Sequence, residues 1–544
     1  MNVQKNQIYE MEIQGVTNEG NGVGRLDGYA VFVPGTAPGD RCRIRMVKCN
    51  KHYGFGRVEQ VLTPSPDRIP PDCPVYRPCG GCTYRHIRYE AELKIKEGVV
   101  RDAFRRLGGI EAPVRPILGS RQTDGYRNKA QYPVGIDREG RMISGFYAQR
   151  SHRIVECPGC ALQPPLFGAV QGEVLRLAER FGIPPYEEGT GRGQLRHIYL
   201  RQGTVSGELM ICLITVSADL PGLKPLAREL AGRFPEIAGV VVNENPLDTN
   251  VILGPVCRTL WGKGTITDVL CGVELELSPQ AFYQVNHAQA EALYRKALAY
   301  GALDRETVLL DLYCGAGSIG LAAAGQVKEL IGVEVVPEAV ENARANAQRN
   351  GIQNARFLCG DAGSAASALA LEGVRPGVVI VDPPRKGLGP EVIPAISRMG
   401  PDRVVMVSCN PATAARDAAL LRDAGYSIEE IQPVDLFPRT THVETVVLLS
   451  KLCTEHHIEV DLDLGDMDLT SAESKATYDE IKAYVLEKFG LKVSSLYISQ
   501  IKRKCGLEVG ENYNHPKSEN TKVPTCPPEK ETAIRKALEH FKMV

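Results

Sequence analysis

The sequence predicts an α/β protein whose largest part is a doubly wound parallel sheet. From residue 307 onward, apolar runs alternate with helical segments, as in "TVLLDLYCGAGSIGLAAAG", "ELIGVEVVPEAVENARANAQRNG" and "VVIVDPPRKG". This alternation is typical of a parallel sheet covered by helices. Residues 7–64 instead alternate short β-like runs with glycine turns, which predicts a small barrel ahead of the sheet.

A chain of 544 residues is too long for one core, so several domains are expected. The predicted domains are a barrel over 1–64, a mixed α+β central domain over 65–270, the α/β domain over 271–452 and a C-terminal extension of unknown role over 453–544. The α/β domain is expected to open with one helix, "LSPQAFYQVNHAQAEALYRKALAYG". In the extension an acidic stretch, about 455–480, precedes two predicted short helices around a turn and a last helix; a helix-turn-helix and a small packing module both fit.

Composition excludes several classes of protein. Hydrophobic residues make up 43% and charged residues 24%, as in an ordinary globular protein. No apolar run approaches the roughly 20 residues that cross a bilayer, and the first residues lack the apolar core of a signal peptide. We therefore expect a cytoplasmic protein without membrane contact. The net charge of −1 argues against a globally basic protein, but the local run "RCRIRMVKCNKHYGFGR" could contact phosphates.

A glycine loop between a strand and a helix indicates a nucleotide-type ligand. In "VLLDLYCGAGSIG", Gly315, Gly317 and Gly320 match G-x-G-x-x-G, whose glycines let the backbone approach a ligand closely. Glu334 ends the next strand, where its carboxylate could bind ribose hydroxyls, and Asp361 could reach an adenine edge. This pattern fits NAD and S-adenosylmethionine equally well.

The next strand ends carry residues that favour methyl transfer. Asp382 follows "VVIV" and Cys409 follows "VVMVS", both at the carboxyl edge of the predicted sheet, where such sheets bind ligands. Methylating C5 of uracil requires a thiolate that adds to C6 and a base that then removes the C5 proton. Cys409 supplies the thiol, and Glu444 in "TTHVETVVLLS" supplies a carboxylate. The alternative is that neither residue is catalytic: Cys409 would be a buried residue at a strand end, and Glu444 an exposed residue on the surface of the sheet.

Three cysteines lie close together in "CPVYRPCGGC". Cys73, Cys79 and Cys82 have the spacing C-x5-C-x2-C, and reduced cytosol makes metal ligation a usual fate of such a group. The spacing alone fits zinc or an iron–sulfur cluster. It does not match the C-x3-C-x2-C arrangement of radical S-adenosylmethionine enzymes.

Over roughly residues 5–452 the chain resembles the S-adenosylmethionine-dependent RNA 5-methyluridine methyltransferases. The resemblance rests on "SPQAFYQVN", "DLYCGAGSIG", "DPPRKG", "VSCNPAT" and "DLFPRTTHVETV". It implies a Rossmann-like class I methyltransferase domain, an N-terminal OB-type TRAM barrel that binds RNA, and a central iron–sulfur domain. It also implies that Cys409 is the nucleophile, Glu444 the base and Phe282 a stacking partner of the target base. The S-adenosylmethionine contacts would be Gln284, Tyr313, Glu334 and Asp382, with Asp361 and Ser318 nearby.

The resemblance extends to the cysteines. It implies a [4Fe-4S] cluster on Cys73, Cys79, Cys82 and a downstream fourth ligand, for which "CALQ" favours Cys160 over Cys157. The tRNA branch of the family lacks this motif, so the expected substrate is a uridine of 23S ribosomal RNA. We expect a monomer.

Three alternatives remain open. The target could be a tRNA uridine or a DNA cytosine, which share the covalent C6 chemistry, or the chain could be a catalytically silent RNA-binding iron–sulfur protein. The segment Arg127, Asn128 and Lys129 could contact RNA or be surface charge.

Overall fold

The computed structural model describes residues 3–452, 478–505, 507, 526–541 and 543. The chain divides into two compact units, residues 1–453 and 454–544. Within the described residues no helix is long and apolar enough to span a membrane. Most of the predicted acidic stretch lies outside the described residues.

The first unit begins with a six-stranded sheet that confirms the predicted barrel. Its spatial order is β1-β5-β6-β4-β3-β2. Alternate apolar side chains such as Met11, Val31 and Ile44 point inward and form its core. The strands are β1 Ile8–Glu12, β2 Gly15–Val16, β3 Gly22–Leu26, β4 Tyr29–Val33, β5 Arg41–Cys49 and β6 Tyr53–Thr63.

A helix, a seven-stranded sheet and two covering helices follow. The sheet order is β13-β12-β11-β10-β7-β8-β9. Inward positions of β7 and β10, among them Tyr132 and Ile198, pack against α2 and α3 on one face of this sheet. The elements are α1 Tyr89–Leu107, β7 Lys129–Ile136, β8 Met142–Tyr147, β9 Ile154–Glu156, α2 Pro165–Arg180, β10 Leu195–Gln202, β11 Leu209–Thr215, α3 Leu223–Arg233, β12 Ile237–Glu244 and β13 Val256–Gly262.

The third part is the predicted doubly wound sheet, with one antiparallel hairpin at its edge. After the hairpin β14–β15, the sheet order is β18-β17-β16-β19-β20-β22-β21. β16 to β20 are parallel, whereas β22 runs antiparallel to both β20 and β21. The strands are β14 Ile266–Leu270, β15 Val273–Leu277, β16 Val308–Leu312, β17 Glu329–Glu334, β18 Ala355–Cys359, β19 Val378–Val381, β20 Arg403–Ser408, β21 Tyr426–Val434 and β22 Glu444–Lys451.

Helices cover both faces of this sheet. Three of them, α4, α7 and α9, begin with capping side chains: Asn286 accepts from the Gln289 N–H, Asp361 from Gly363 and Ser364, and Asn410 from Ala412. The helices are α4 His287–Gly301, α5 Ser318–Ala323, α6 Pro337–Arg349, α7 Ala362–Leu371, α8 Val392–Met399 and α9 Pro411–Asp423.

Two expectations from the sequence differ from the structure. The segment predicted as one helix is helical only over α4, which Asn286 caps. Residues 278–286 form a loop, because their carbonyls accept hydrogen bonds from the side chains of Asn128 and Arg201. The expected domain boundary at 270/271 falls within the β14–β15 hairpin, and α1, expected to lie in the central domain, packs against α9.

The second unit contains the three predicted helices of the extension. They are α10 Tyr478–Phe489, α11 Ser495–Lys504 and α12 Pro528–His540. Ile481, Val485, Ile498, Ile534 and Leu538 are fully buried between them. The unit therefore has a hydrophobic core of its own.

Candidate functional site

The ends of six strands of the doubly wound sheet surround one cavity of about 750 Å³, here called the strand-end cavity. Its volume lies within the range of small-molecule sites. Because β16 to β20 are parallel and β22 is antiparallel, residues at five carboxyl ends and the first residue of β22 meet at one edge. The predicted residues that line this cavity are Phe282, Gln284, Tyr313, Glu334, Asp361, Asp382, Cys409 and Glu444.

The glycine loop forms one wall of the strand-end cavity. Tyr313, Gly315 and Gly317 all have positive φ angles, of 66°, 56° and 81°, so the chain turns sharply between β16 and α5. Gly320 lies against the buried Asp311, whose carboxylate accepts its N–H at 3.0 Å; a Cβ at Gly320 would approach that carboxylate to 2.8 Å. The glycines therefore keep the turn tight and the backbone open toward the cavity.

Two carboxylates on this wall are held by backbone N–H groups. Glu334 accepts from Gly315 at 3.1 Å and from Val336 at 2.9 Å. Asp361 accepts from Gly363 and Ser364 as the cap of α7. Each carboxylate is fixed in orientation, as a group that recognises ligand hydroxyl or amino groups must be.

The thiol and two further carboxylates also line the strand-end cavity. Cys409 follows β20 and is half-buried, and Glu444, only 4% exposed, begins the neighbouring β22. Burial raises the pKa of Asp382 to about 7. Burial and the nearby Asp382 raise the pKa of Glu444 to about 8. A glutamate that binds its proton this strongly is a stronger base once ionised, as general bases that work near neutral pH are.

The environment of the thiol is mixed. Burial raises the pKa of Cys409 and the nearby Glu444 raises it further, whereas the Arg385 guanidinium beside it acts in the opposite direction. Arg385 follows the "DPP" segment that lines the same cavity. Sequence reasoning did not single out Arg385 or His442, which also lines the cavity. The one signal in the sequence that could have identified them is their position close to Asp382 and Glu444.

The loop over 278–286 also lines the strand-end cavity, and side chains of the central domain hold this loop in place. Phe282 is 70% exposed and lies on the cavity wall, and Gln284 is buried beside it. The Asn128 side chain donates to the Gln284 carbonyl at 2.9 Å, and the buried Arg201 donates to the carbonyls of Ser278 and Ala281, both at 2.7 Å. Lys129 reaches the same cavity, and burial lowers its pKa to about 8.

Ser318 has a different environment from the other predicted cofactor contacts. It is the first residue of α5, and its hydroxyl is 3.1 Å from the Tyr294 hydroxyl. It is not part of the wall of the strand-end cavity. The Ser318 side chain therefore stabilises the glycine loop from behind the cavity wall.

Five cysteines surround a second, smaller cavity of about 140 Å³, here called the cysteine cavity. They are Cys73, Cys79, Cys82, Cys157 and Cys160. Arg85 and Arg127 also line it, and the lining residues that the structure describes include no carboxylate. Gly80 approaches the backbone of Gln149, where a Cβ would come within 3.1 Å. The sequence-predicted ligands are thus brought together around one space.

The geometry of the cysteine cavity differs from that of a single-metal site. Among the described residues, no three His, Cys, Asp or Glu side chains are arranged to hold one ion. The thiols of Cys157 and Cys160 contact each other. The pKa of Cys79 and that of Cys82 are raised by burial and, to a smaller extent, by Cys160.

Comparison with known proteins assigns the family. Residues 273–452 match the family model described as tRNA (Uracil-5-)-methyltransferase, and residues 2–58 match the TRAM domain. A protein of Halalkalibacterium halodurans named as an uncharacterized RNA methyltransferase is 44% identical over 448 residues, which cover 82% of this chain and 98% of that protein. The chain belongs to the RNA (uracil-5-)-methyltransferase family.

Other relatives and one solved structure agree with this assignment. A Bacillus cereus protein, also named as an uncharacterized RNA methyltransferase, is 43% identical over 451 residues, 83% of this chain and 98% of that protein. The crystal structure of Pyrococcus abyssi tRNA (uracil-54, C5)-methyltransferase in complex with S-adenosyl-L-homocysteine is 27% identical. It aligns with a TM-score of 0.65 over 81% of this chain and 100% of that chain.

The family membership fixes the outline of the activity. The protein is an RNA methyltransferase of the S-adenosylmethionine-dependent uracil-5 family, with an N-terminal TRAM barrel and a Rossmann-like domain. The strand-end cavity fits the methyl donor, because it combines the open glycine loop with the fixed carboxylates of Glu334 and Asp361.

Proposed function

We propose that this protein transfers a methyl group from S-adenosylmethionine to C5 of a uridine in 23S ribosomal RNA. Cys409 is the nucleophile and Glu444 the base that removes the C5 proton. Gln284, Tyr313, Glu334, Asp361 and Asp382 hold the methyl donor. The enzyme acts in the cytoplasm as a monomer.

The first step activates the pyrimidine. The Cys409 sulfur forms a bond to C6, and the electrons of the C5–C6 double bond move to give an enolate with nucleophilic C5. Arg385 beside the thiol stabilises the thiolate that this step requires. The target base must leave its stack, since a stacked base covers the face that the sulfur attacks. The exposed ring of Phe282 offers a stacking surface for the extruded base.

The second step transfers the methyl group and restores the ring. C5 attacks the methyl carbon of the sulfonium, and S-adenosylhomocysteine leaves with the electrons of the broken carbon–sulfur bond. Glu444, in its ionised form, then takes the C5 proton, and the released electrons re-form the C5–C6 double bond as the Cys409 thiolate leaves. The high pKa of Glu444 suits it to this proton removal.

The observation that carries this proposal is the meeting of Cys409, Glu444 and the glycine loop on one cavity. The test incubates the purified protein with S-adenosylmethionine labelled in its methyl group and an unmodified 23S rRNA transcript. The labelled nucleoside is identified by nuclease digestion and chromatography. We expect 5-methyluridine at a defined position; label in another nucleoside would overturn the proposal.

A tRNA uridine is the second candidate substrate, because the solved relative that aligns over its full length is a tRNA (uracil-54, C5)-methyltransferase. An unmodified tRNA transcript in the same assay decides between the two. Label in 23S rRNA but not in tRNA supports our proposal, and the reverse result assigns the tRNA reaction.

We propose that the cysteine cavity holds a [4Fe-4S] cluster on Cys73, Cys79, Cys82 and Cys160. The donor set supports this: clustered thiols are ligands for such a cluster, and Arg85 and Arg127 would compensate its negative charge. A cluster with several irons would not require the four sulfurs to converge on one point, as a single ion does. When bound, the cluster would connect the loop over 73–82 with the segment that carries Cys160; the same loop contacts β8, where the Gly80 N–H donates to the Tyr147 carbonyl.

A further inference from the structure

A third cavity, of about 700 Å³, lies in the central domain and shares no lining residue with the strand-end cavity. It is bounded by the ends of β7, β8 and β9, by the start of β10 and by the loop over 186–188. Here it is called the sheet-face pocket. Its volume is similar to that of the strand-end cavity, so it can admit a ligand as large as a nucleotide.

The floor of the sheet-face pocket contains a buried histidine with an unsatisfied nitrogen. His197 is 9% exposed, and its Nδ1 has no hydrogen-bond partner among the described residues. Burial and the neighbouring Arg196 lower its pKa to about 4, so the ring is neutral at physiological pH. A neutral imidazole can donate one hydrogen bond and accept another, which matches the mixed edge of a nucleobase.

Two tyrosines in the wall are held in place by neighbours. The Arg196 guanidinium lies 4.6 Å from the centre of the Tyr186 ring and is itself anchored to the carbonyls of Asn245 and Leu247. The Tyr147 ring lies 5.4 Å from that of His152, whose Nδ1 is 2.7 Å from Glu188. Positioned aromatic rings of this kind stack on unpaired bases in RNA-binding sites.

The opening of the pocket carries both arginines and carboxylates. The exposed side chains of Arg138 and Arg153 form no ion pair within the part of the chain that the structure describes. Of the acidic groups, Asp137 is paired with Arg141 at 2.7 Å. Glu188 lies 2.7 Å from His152 Nδ1 and Glu187 accepts from the Thr190 hydroxyl, and neither forms an ion pair with a lysine or arginine among the described residues. Two unpaired arginines therefore remain to contact phosphates.

One strand connects this pocket with the strand-end cavity. Lys129, at the start of β7, lines the strand-end cavity, whereas Gly135 on the same strand lines the sheet-face pocket. Lys129 pairs with Arg201 and Pro133 with His197, so all these residues lie on the sheet face turned away from α2 and α3. Six residues of strand span about 20 Å. A few unstacked nucleotides can bridge that distance.

We propose that the sheet-face pocket binds a second, unstacked nucleotide of the RNA whose uridine enters the strand-end cavity. Tyr147 and Tyr186 stack on its base, His197 contacts the base edge, and Arg138 and Arg153 bind the flanking phosphates. This deepens the proposed function, on which it rests: the enzyme selects an RNA with two exposed bases a short distance apart.

Photocrosslinking tests whether RNA occupies the pocket. Unmodified 23S rRNA and tRNA transcripts, each carrying 4-thiouridine in place of uridine, are irradiated with the full-length protein, and crosslinked peptides are identified by mass spectrometry. We expect peptides from residues 134–154 or 184–197 with at least one of the transcripts. If crosslinks to both transcripts are confined to other regions, the proposal is wrong.

Charge reversal measures the contribution of the phosphate contacts. R138E and R153E should each weaken binding of the transcript that the enzyme methylates about tenfold. KM for RNA should rise, while kcat at saturating RNA is retained. A plot of log affinity against log salt concentration has a negative slope. Each lost phosphate contact should reduce the magnitude of this slope by about 0.7. The matched control is R228E, which reverses an exposed arginine of α3 on the opposite side of the sheet and should change neither quantity.

The two proposals fail in different ways. If the wild-type protein methylates RNA but R138E and R153E behave as R228E does, the pocket has no role in RNA binding. If the wild-type protein transfers no methyl group to either transcript, the proposed function fails, and the crosslinks and the binding constants of the variants still decide whether the pocket binds RNA.

Discussion

The strand-end cavity and the cysteine cavity both contain thiols beside arginines, yet their chemistry differs. Cys409 is a single thiol that shares its cavity with the buried carboxylates of Asp382 and Glu444. The cysteine cavity gathers five thiols, and the described residues that line it include no carboxylate. A thiol beside a proton acceptor suits the addition and elimination that we propose for Cys409, whereas clustered thiols without one suit the iron–sulfur cluster that we propose for the cysteine cavity. The side chains that surround a cysteine therefore indicate its role better than its burial does.

The largest expected effect separates Cys409 from the other thiols. C409A removes the only sulfur placed to attack C6 in our mechanism, so methyl transfer to RNA should fall at least about 10³-fold. The assay is incorporation of labelled methyl groups at saturating S-adenosylmethionine. The matched control is C359A, which removes an exposed thiol at the end of β18 and should retain activity. Turnover of C409A near the wild-type rate would contradict the covalent mechanism.

A smaller loss is expected when the base is removed and the nucleophile is kept. E444Q should reduce turnover about 10²- to 10³-fold, because C5 would be methylated but its proton would remain. The protein should then accumulate covalently bound to methylated RNA, seen as a complex that survives denaturing electrophoresis. A slow variant without such a complex would place Glu444 outside the proton removal.

The sequence predicted the edge of the sheet well because one periodic signal determines it. Apolar runs locate the strands, and the residue after each run must lie at the common edge, so the amino-acid pattern alone was enough to place Glu334, Asp382 and Cys409 there. Phe282 and Gln284 were expected in a helix, since their spacing suits one. Hydrogen bonds from the distant Asn128 and Arg201 to the carbonyls of that segment keep it in a loop. The local sequence pattern does not reveal such hydrogen bonds between distant segments.

Contacts between distant segments were beyond the reach of sequence. Arg385 lies beside Cys409 because β19 and β20 are neighbours, and no spacing in the chain states which side chain will face the thiol. The fifth thiol of the cysteine cavity illustrates the same limit. Both Cys157 and Cys160 reach the space, and only packing decides which of them faces the other three.

The cysteine cavity offers the next test of the comparison. We expect C160A to lose most of the iron and visible absorbance of protein purified without oxygen, at least tenfold relative to wild type. C157A, which removes the neighbouring thiol, should keep both, and it is the matched control. The reverse pattern would make Cys157 the ligand, and iron-free wild-type protein with intact folding would refute the cluster.

The smallest expected effect concerns stability and returns to the strand-end cavity. Because the folded-state pKa of Glu444 is about 8, against an ordinary value of 4.5, the folded protein holds a proton that the unfolded chain releases between these values. This carboxyl therefore lowers the free energy of unfolding as pH rises from 4.5 to about 8. E444Q cannot ionise, so it should escape this loss and gain at least about 1.4 kcal/mol over wild type at pH 8 relative to pH 5. Chemical denaturation of both proteins at the two pH values measures the difference, and a control variant, D402N, changes an exposed carboxyl elsewhere on the sheet. Equal pH dependence in E444Q and wild type would show that Glu444 ionises normally in the fold, and would remove the basis for its role as a strong base.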